Sequence, residues 1–156
     1  MNGRILACAL LVGVFALEHA TAQPSKLMPS NYQGCYTVAL SPWSPPLGGD
    51  VRYATPPAAI ELTGIRVEGF KKTERFLVKP ALGAKASIHS MSYWHLTPEG
   101  EVAITFTTGY VGLTMRLVGK GSVLIGTAVT AGDDNPGEHV QATAARADKV
   151  ACKTGS

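Results

Sequence analysis

Residues Glu101–Thr130 read EVAITFTTGYVGLTMRLVGKGSVLIGTAVT, and the periodicity of this stretch decides the fold. Val102, Ile104 and Phe106 fall on one side of the chain, and Ala103, Thr105 and Thr107 on the other. After the small turn at Gly109-Tyr110, Val111, Leu113, Met115 and Leu117 alternate with Gly112, Thr114 and Arg116. Gly119-Lys120-Gly121 turns the chain again, and Ser122–Thr130 follows as another apolar run. A period of two is that of a strand with one buried face, not of a helix. Strands joined by connections this short must be antiparallel neighbours, so the stretch is a β-meander.

The same grammar extends in both directions. Upstream, Ser90–Leu96 leads into Thr97-Pro98-Glu99-Gly100, a turn with proline early and glycine late. Glu74–Lys79 is ended by Pro80, and Ala58–Thr63 follows a proline-rich connection. Gln33–Leu40 sets Tyr36, Val38 and Leu40 against Cys35, Thr37 and Ala39. Downstream, the polar turn Asp133–Gly137 precedes His139–Ala147. Eight strands are expected. The one long connection, Ser41–Pro57, carries five of the ten prolines and should be extended and stiff.

The N-terminus follows a different pattern. Arg4 precedes the apolar run Ile5–Leu17, which ends at Glu18-His19 and is followed by Ala20-Thr21-Ala22. This is a secretory signal peptide over 1–22, cleaved before Gln23. It is too short for a membrane span, which takes roughly 20 apolar residues. Cys8 sits in a lipobox-like Ile-Leu-Ala-Cys, but it precedes most of the apolar run, so a lipoprotein reading is rejected. No other segment is apolar enough to span a membrane. Residues 23–32 read as a flexible lead-in, 33–152 as one β domain and 153–156 as a tail. The expected location is periplasmic or extracellular.

Charge excludes one class of partner. Fourteen Lys and Arg against eleven Asp and Glu give a net charge of +3. Removing the signal takes away Arg4 and Glu18 and leaves that balance unchanged. It is too mild for a nucleic-acid-binding face. The 46% hydrophobic content is raised by the signal, and the length suits one globular domain.

Two cysteines remain after cleavage, Cys35 and Cys152, and in an exported protein they read as a disulfide. Cys35 sits in the first strand and Cys152 just beyond the last. The edges of an open eight-stranded sheet would lie roughly 30 Å apart at about 4.8 Å per strand, whereas a disulfide needs Cα atoms about 4.4–6.8 Å apart. The bond therefore requires the sheet to close, which also removes the exposed edges. The expected fold is an all-β, eight-stranded antiparallel meander closed into a barrel, with a two-sheet β-sandwich as the alternative. Closing so long a loop constrains the unfolded chain by roughly 4–5 kcal/mol in the chain-entropy account.

Gly34-Cys35-Tyr36 at the first strand, Pro42–Pro46, Thr108–Gly112 and Leu124–Ala128 give the chain a likeness to a known group. It resembles the lipocalin-like small barrels (calycins), in particular secreted bacterial proteins of that type without an assigned role, with Tyr36 where the lipocalin start normally has tryptophan. The resemblance implies a ligand cavity or a sealed core. It implies no catalytic residue.

The search for reactive groups selects none. His89, His95 and His139 have no Cys, Asp or Glu at zinc spacing. Asp133–Glu138 lacks the spacing of an EF-hand loop and reads as a solvated turn. There is no nucleophile elbow, HExxH, phosphate-binding glycine loop or haem-attachment motif. Nothing selects a pair among Asp50, Glu61, Glu68, Glu74, Glu99 and Glu101. The expectation is a non-catalytic protein without cofactor or metal. Candidate ligand-binding residues are Trp43, Tyr53, Tyr93, Phe106, Met115 and Arg116, a set of aromatic and apolar side chains with one cation. Arg116 either faces solvent with Thr114 or points inward to anchor an acidic headgroup. An eight-stranded barrel is wide enough to be filled by side chains or to hold one small ligand. The expected function is binding of a small apolar or amphipathic ligand, with Ser41–Pro57 over one mouth. The alternative is an envelope protein-interaction or inhibitor module that uses Trp43 and its prolines.

Overall fold

A computed structural model describes residues 27–44, 46–47, 51–86, 88–131 and 141–152. The expected signal peptide and start of the lead-in, the polar turn expected at Asp133–Glu138, His139 and the expected tail lie outside these residues. Eight strands follow in chain order: β1 Gly34–Leu40, β2 Ala59–Arg66, β3 Phe76–Pro80, β4 Met91–Leu96, β5 Val102–Thr107, β6 Gly112–Lys120, β7 Val123–Ala131 and β8 Ala142–Val150. Each pairs antiparallel with the next, and β8 returns to β1, so the sheet is a closed barrel. The expected meander is present in full, and the sandwich alternative is excluded. Most strand ends lie within two residues of the expectation, and two strands run three residues past their expected C-terminal ends. β8 runs on to Val150, where Asp148 and Lys149 pair with Thr37 and Tyr36. β2 continues to Arg66 through an irregularity at which its register with β3 shifts between Leu62 and Arg66.

Closure rests on six register pairs between β1 and β8, from Cys35↔Val150 to Leu40↔Ala145. The Cys35–Cys152 disulfide sits just beyond the first of them, with the two Cα atoms 5.2 Å apart. Ladder and covalent bond thus remove the same two edges.

The period-two pattern sends Tyr36, Ile60, Trp94, Ile104, Phe106 and Met115 inward, where they are fully buried. Burying each side chain of this size contributes about 1.5–3 kcal/mol. Small residues meet them from the other wall, namely Ala128, Ala145 and Ala147. Gly126 has a steric reason of its own. A Cβ there would lie 2.0 Å from the Arg116 carbonyl oxygen, so only glycine lets β7 approach β6 this closely.

Both ends of the barrel are covered. At one, the 3-10 turn Pro29–Tyr32 precedes β1, and Tyr36 Oη, deep in the wall, donates to the Tyr32 carbonyl at 2.8 Å. Burial, and then Tyr32, push the Tyr36 phenol above its ordinary pKa. At the other end, the Ser41–Pro57 connection contains a 3-10 turn, Val51–Ala54, whose Ala54 is buried. Thr143 Oγ1 donates to the Ser41 and Pro42 carbonyls at 2.9 and 3.2 Å. His89 Nε2 lies 2.8 Å from the Tyr53 carbonyl. Among the described residues no helix is long and apolar enough to cross a membrane.

Candidate ligand-binding site

The six sequence candidates occupy three environments. Phe106 and Met115 are fully buried in the core, paired across β5 and β6 with Leu113 and Ile104. Arg116 stands on the outer wall with its side chain 64% exposed, its Nη1 3.8 Å from Glu101 Oε2. Strand alternation decides this, since Met115 and Leu117 take the inward positions on either side. Tyr93 also faces outward, its ring 5.1 Å from Phe70. Trp43 and Tyr53 belong to the segment over the mouth, and Trp43 is half-buried against the core.

Around Trp43 the chain forms a cleft of about 410 Å³, lined chiefly by Val38, Leu40, Trp43, Ala54, Pro56 and Ala58. Its shape follows from local chemistry. The last turns of β1 present Val38 and Leu40, and prolines at 42, 56 and 57 hold the connection extended. The carbonyls of Ser41 and Pro42 are tied to Thr143. The walls are therefore largely preformed and apolar, with Ser41 and Thr55 as polar groups.

A second hollow of about 710 Å³ lies on the outer wall and shares Leu40 and Ser41 with the cleft. The register Val118↔Ile125↔Arg146↔Ala39 crosses four strands. Small Ala39 and Ala144 leave a trough between longer side chains. Arg146 at its edge is committed to Asp148, with Nε–Oδ2 at 2.8 Å and Nη2–Oδ1 at 2.7 Å. That hydrogen bonding raises the Arg146 pKa and lowers that of Asp148.

A third hollow opens in the wall itself. Among the described residues β3 and β4 share only the pairs Phe76↔Trp94 and Leu77↔Tyr93. Beyond them the strands part around a slot of about 210 Å³ that reaches Val78, Ser92 and Phe106 and includes His89. The His89 ring lies 5.8 Å from that of Phe106.

The sequence reading missed one cluster. Arg75 makes cation–π contacts with Phe70 and Tyr93, with its guanidinium carbon 3.8 and 4.4 Å from the two ring centroids. Arg75 Nε and the neighbouring His95 Nδ1 are both buried without a hydrogen-bond partner. Its only signal in the sequence was the basic run Lys71-Lys72 and Arg75 beside Phe70. Burial, followed by Arg75 and Arg116, holds the His95 imidazole below its ordinary pKa. Among the described residues no three His, Cys, Asp or Glu side chains come together as a metal-ligand group. Compared with protein-family models, with curated proteins and with solved structures, the chain matches none.

Proposed function

We propose that the protein is an exported, non-catalytic, lipocalin-like barrel that holds a small apolar or amphipathic ligand in the mouth cleft around Trp43, not inside the barrel. The observation that carries this reading is the apolar cleft of about 410 Å³, within the range of roughly 300–1,000 Å³ usual for small-molecule sites. The interior positions are occupied by large buried side chains, which leaves the mouth as the place for a guest. The trough that continues past Leu40 and Ser41 offers room for a longer apolar tail. Export through a signal peptide cleaved before Gln23 fits the disulfide, which persists in oxidising compartments. A contact with a protein partner through Trp43 has less support, because the ring packs back against the core.

The test is titration of the purified protein with a fluorescent fatty-acid probe, followed by displacement with unlabelled alkyl compounds. Saturable, displaceable binding that weakens at least about tenfold in Trp43→Ala, equivalent to about 1.4 kcal/mol, supports the proposal. Absence of saturable binding, or an unchanged Trp43→Ala, contradicts it.

A further inference from the structure

Arg75, His95 and Arg116 form a row across the outer wall. The antiparallel pairs Phe76↔Trp94 and Leu77↔Tyr93, continued by one residue, set Arg75 opposite His95. The pairs His95↔Ala103 and Ala103↔Arg116 carry the row to β6. Ala103 points outward yet is only 3% exposed, so it forms a small floor between His95 and Arg116. None of the three lines the Trp43 cleft.

Arg75 is held in a defined pose. Phe70 and Tyr93, with ring centroids 5.1 Å apart and planes tilted by 50°, both lie against its guanidinium carbon, at 3.8 and 4.4 Å. Cation–π contact of this kind uses none of the guanidinium N–H groups as hydrogen-bond donors to a polar partner. One of them, Nε–H, is buried without an acceptor, and so is Nδ1 of His95 opposite. Native proteins rarely leave buried polar atoms unpaired. Here two occur on directly opposed positions of one wall. Two of the acidic side chains nearby are ion-paired, Glu74 with Arg66 and Glu101 with Arg116. Glu99 lies within the field of Arg116. The adjoining hairpin hollow adds Lys71 and Lys72 beside Glu68.

We infer that this row is a binding site for a small oxyanion, the carboxylate, sulfate or phosphate group of a small molecule, seated between the edge of Arg75 and His95 Nδ1–H with Arg116 adding positive field. The geometry of Arg75 suits such a group, because a guanidinium edge matches a planar or tetrahedral oxyanion. The suppressed protonation of His95 agrees with this arrangement. A neutral imidazole presents one N–H, and a bound anion relieves the repulsion from the two arginines. A free inorganic anion and the head of a larger organic acid share this chemistry.

The experiment is an NMR titration of the His95 imidazole and Arg75 Nε–H signals with phosphate, sulfate, acetate and benzoate, against sodium chloride at equal ionic strength. The expected result is saturable movement of both signals with at least one of these anions and a rise in the His95 pKa in the bound form. Tighter binding of phosphate or sulfate assigns the site to an inorganic anion or its ester. Tighter binding of benzoate than acetate assigns it to an organic acid that uses Phe70 and Tyr93. Arg75→Lys, which keeps the charge and loses the fork, should weaken binding at least tenfold with an unchanged thermal midpoint. The inference is overturned if all four anions leave both signals where chloride leaves them, or if Arg75→Lys binds as the parent does.

Discussion

Trp94 Nε1 donates to the Thr63 carbonyl at 2.9 Å, inside the barrel and across 31 residues of chain. Thr63 lies where β2 slips register against β3. Its hydroxyl donates to the Leu77 carbonyl at 2.8 Å and accepts from the Ile65 amide at 3.2 Å. The irregularity in the wall is therefore stitched from both sides, by a core indole and by a threonine. Trp94→Phe keeps much of the ring but leaves a buried carbonyl without its donor. A loss of about 1–3 kcal/mol is expected, read as a lower denaturant midpoint at unchanged slope. Thr63→Val should cost a similar amount.

Gly126 and Gly64 make a matched pair. A Cβ at Gly126 would meet the Arg116 backbone oxygen at 2.0 Å, whereas at Gly64 the nearest atom belongs to the flexible Gln33 side chain at 2.8 Å. Gly126→Ala must push β7 away from β6 and should cost about 1–3 kcal/mol or more, while Gly64→Ala should be nearly neutral. Parallel thermal unfolding of the two variants checks the contrast.

The disulfide and the β1–β8 ladder close the barrel together. Removing the bond with Cys35→Ala/Cys152→Ala should cost roughly 2–5 kcal/mol. The six ladder pairs remain, so the far-ultraviolet spectrum should stay that of the parent. Amide exchange should accelerate first at Thr37, Ala39 and Arg146, which hydrogen-exchange mass spectrometry or NMR can resolve.

His95 gives stability a pH dependence of known sign. Burial, then Arg75 and Arg116, lower its pKa from the ordinary 6.5. As pH falls, the unfolded chain takes up this proton before the folded one. The stability that neutral His95 preserves is thus full above pH 6.5 and is lost as pH drops from there through the folded-state value. Stability should rise with pH across that window in the parent, and this component should disappear in His95→Gln. Chemical denaturation at a series of pH values measures both.

Much of the fold was legible because it is local. Alternation such as Val102, Ile104 and Phe106 against Thr105 and Thr107 names both the strand and its inner face. The positions of Cys35 and Cys152 then convert a meander into a barrel. The slip in β2 was not legible, because it depends on the Trp94 indole meeting Thr63 from β4, two strands away in the wall order. Nor could the sequence decide whether the interior is full. That depends on how Trp94, Tyr36 and Phe106 fit against Ala128, Ala145 and Ala147, a matter of summed shape and not of pattern. Arg116 read outward with Thr114 by alternation, with an inward pose as the alternative, and the structure places it outward. Arg75 and His95 become neighbours only through the β3–β4 register.

The central claim is that a guest sits at the mouth and not in the barrel. Chemical-shift mapping of the isotope-labelled protein during titration with the fatty-acid probe tests it most directly. The account predicts that the Trp43 indole and the Val38, Leu40 and Ala54 signals move together and saturate, while the Trp94 indole and the Met115 methyl stay in place. Movement centred on Trp94, Phe106 and Met115, with Trp43 unmoved, would contradict it.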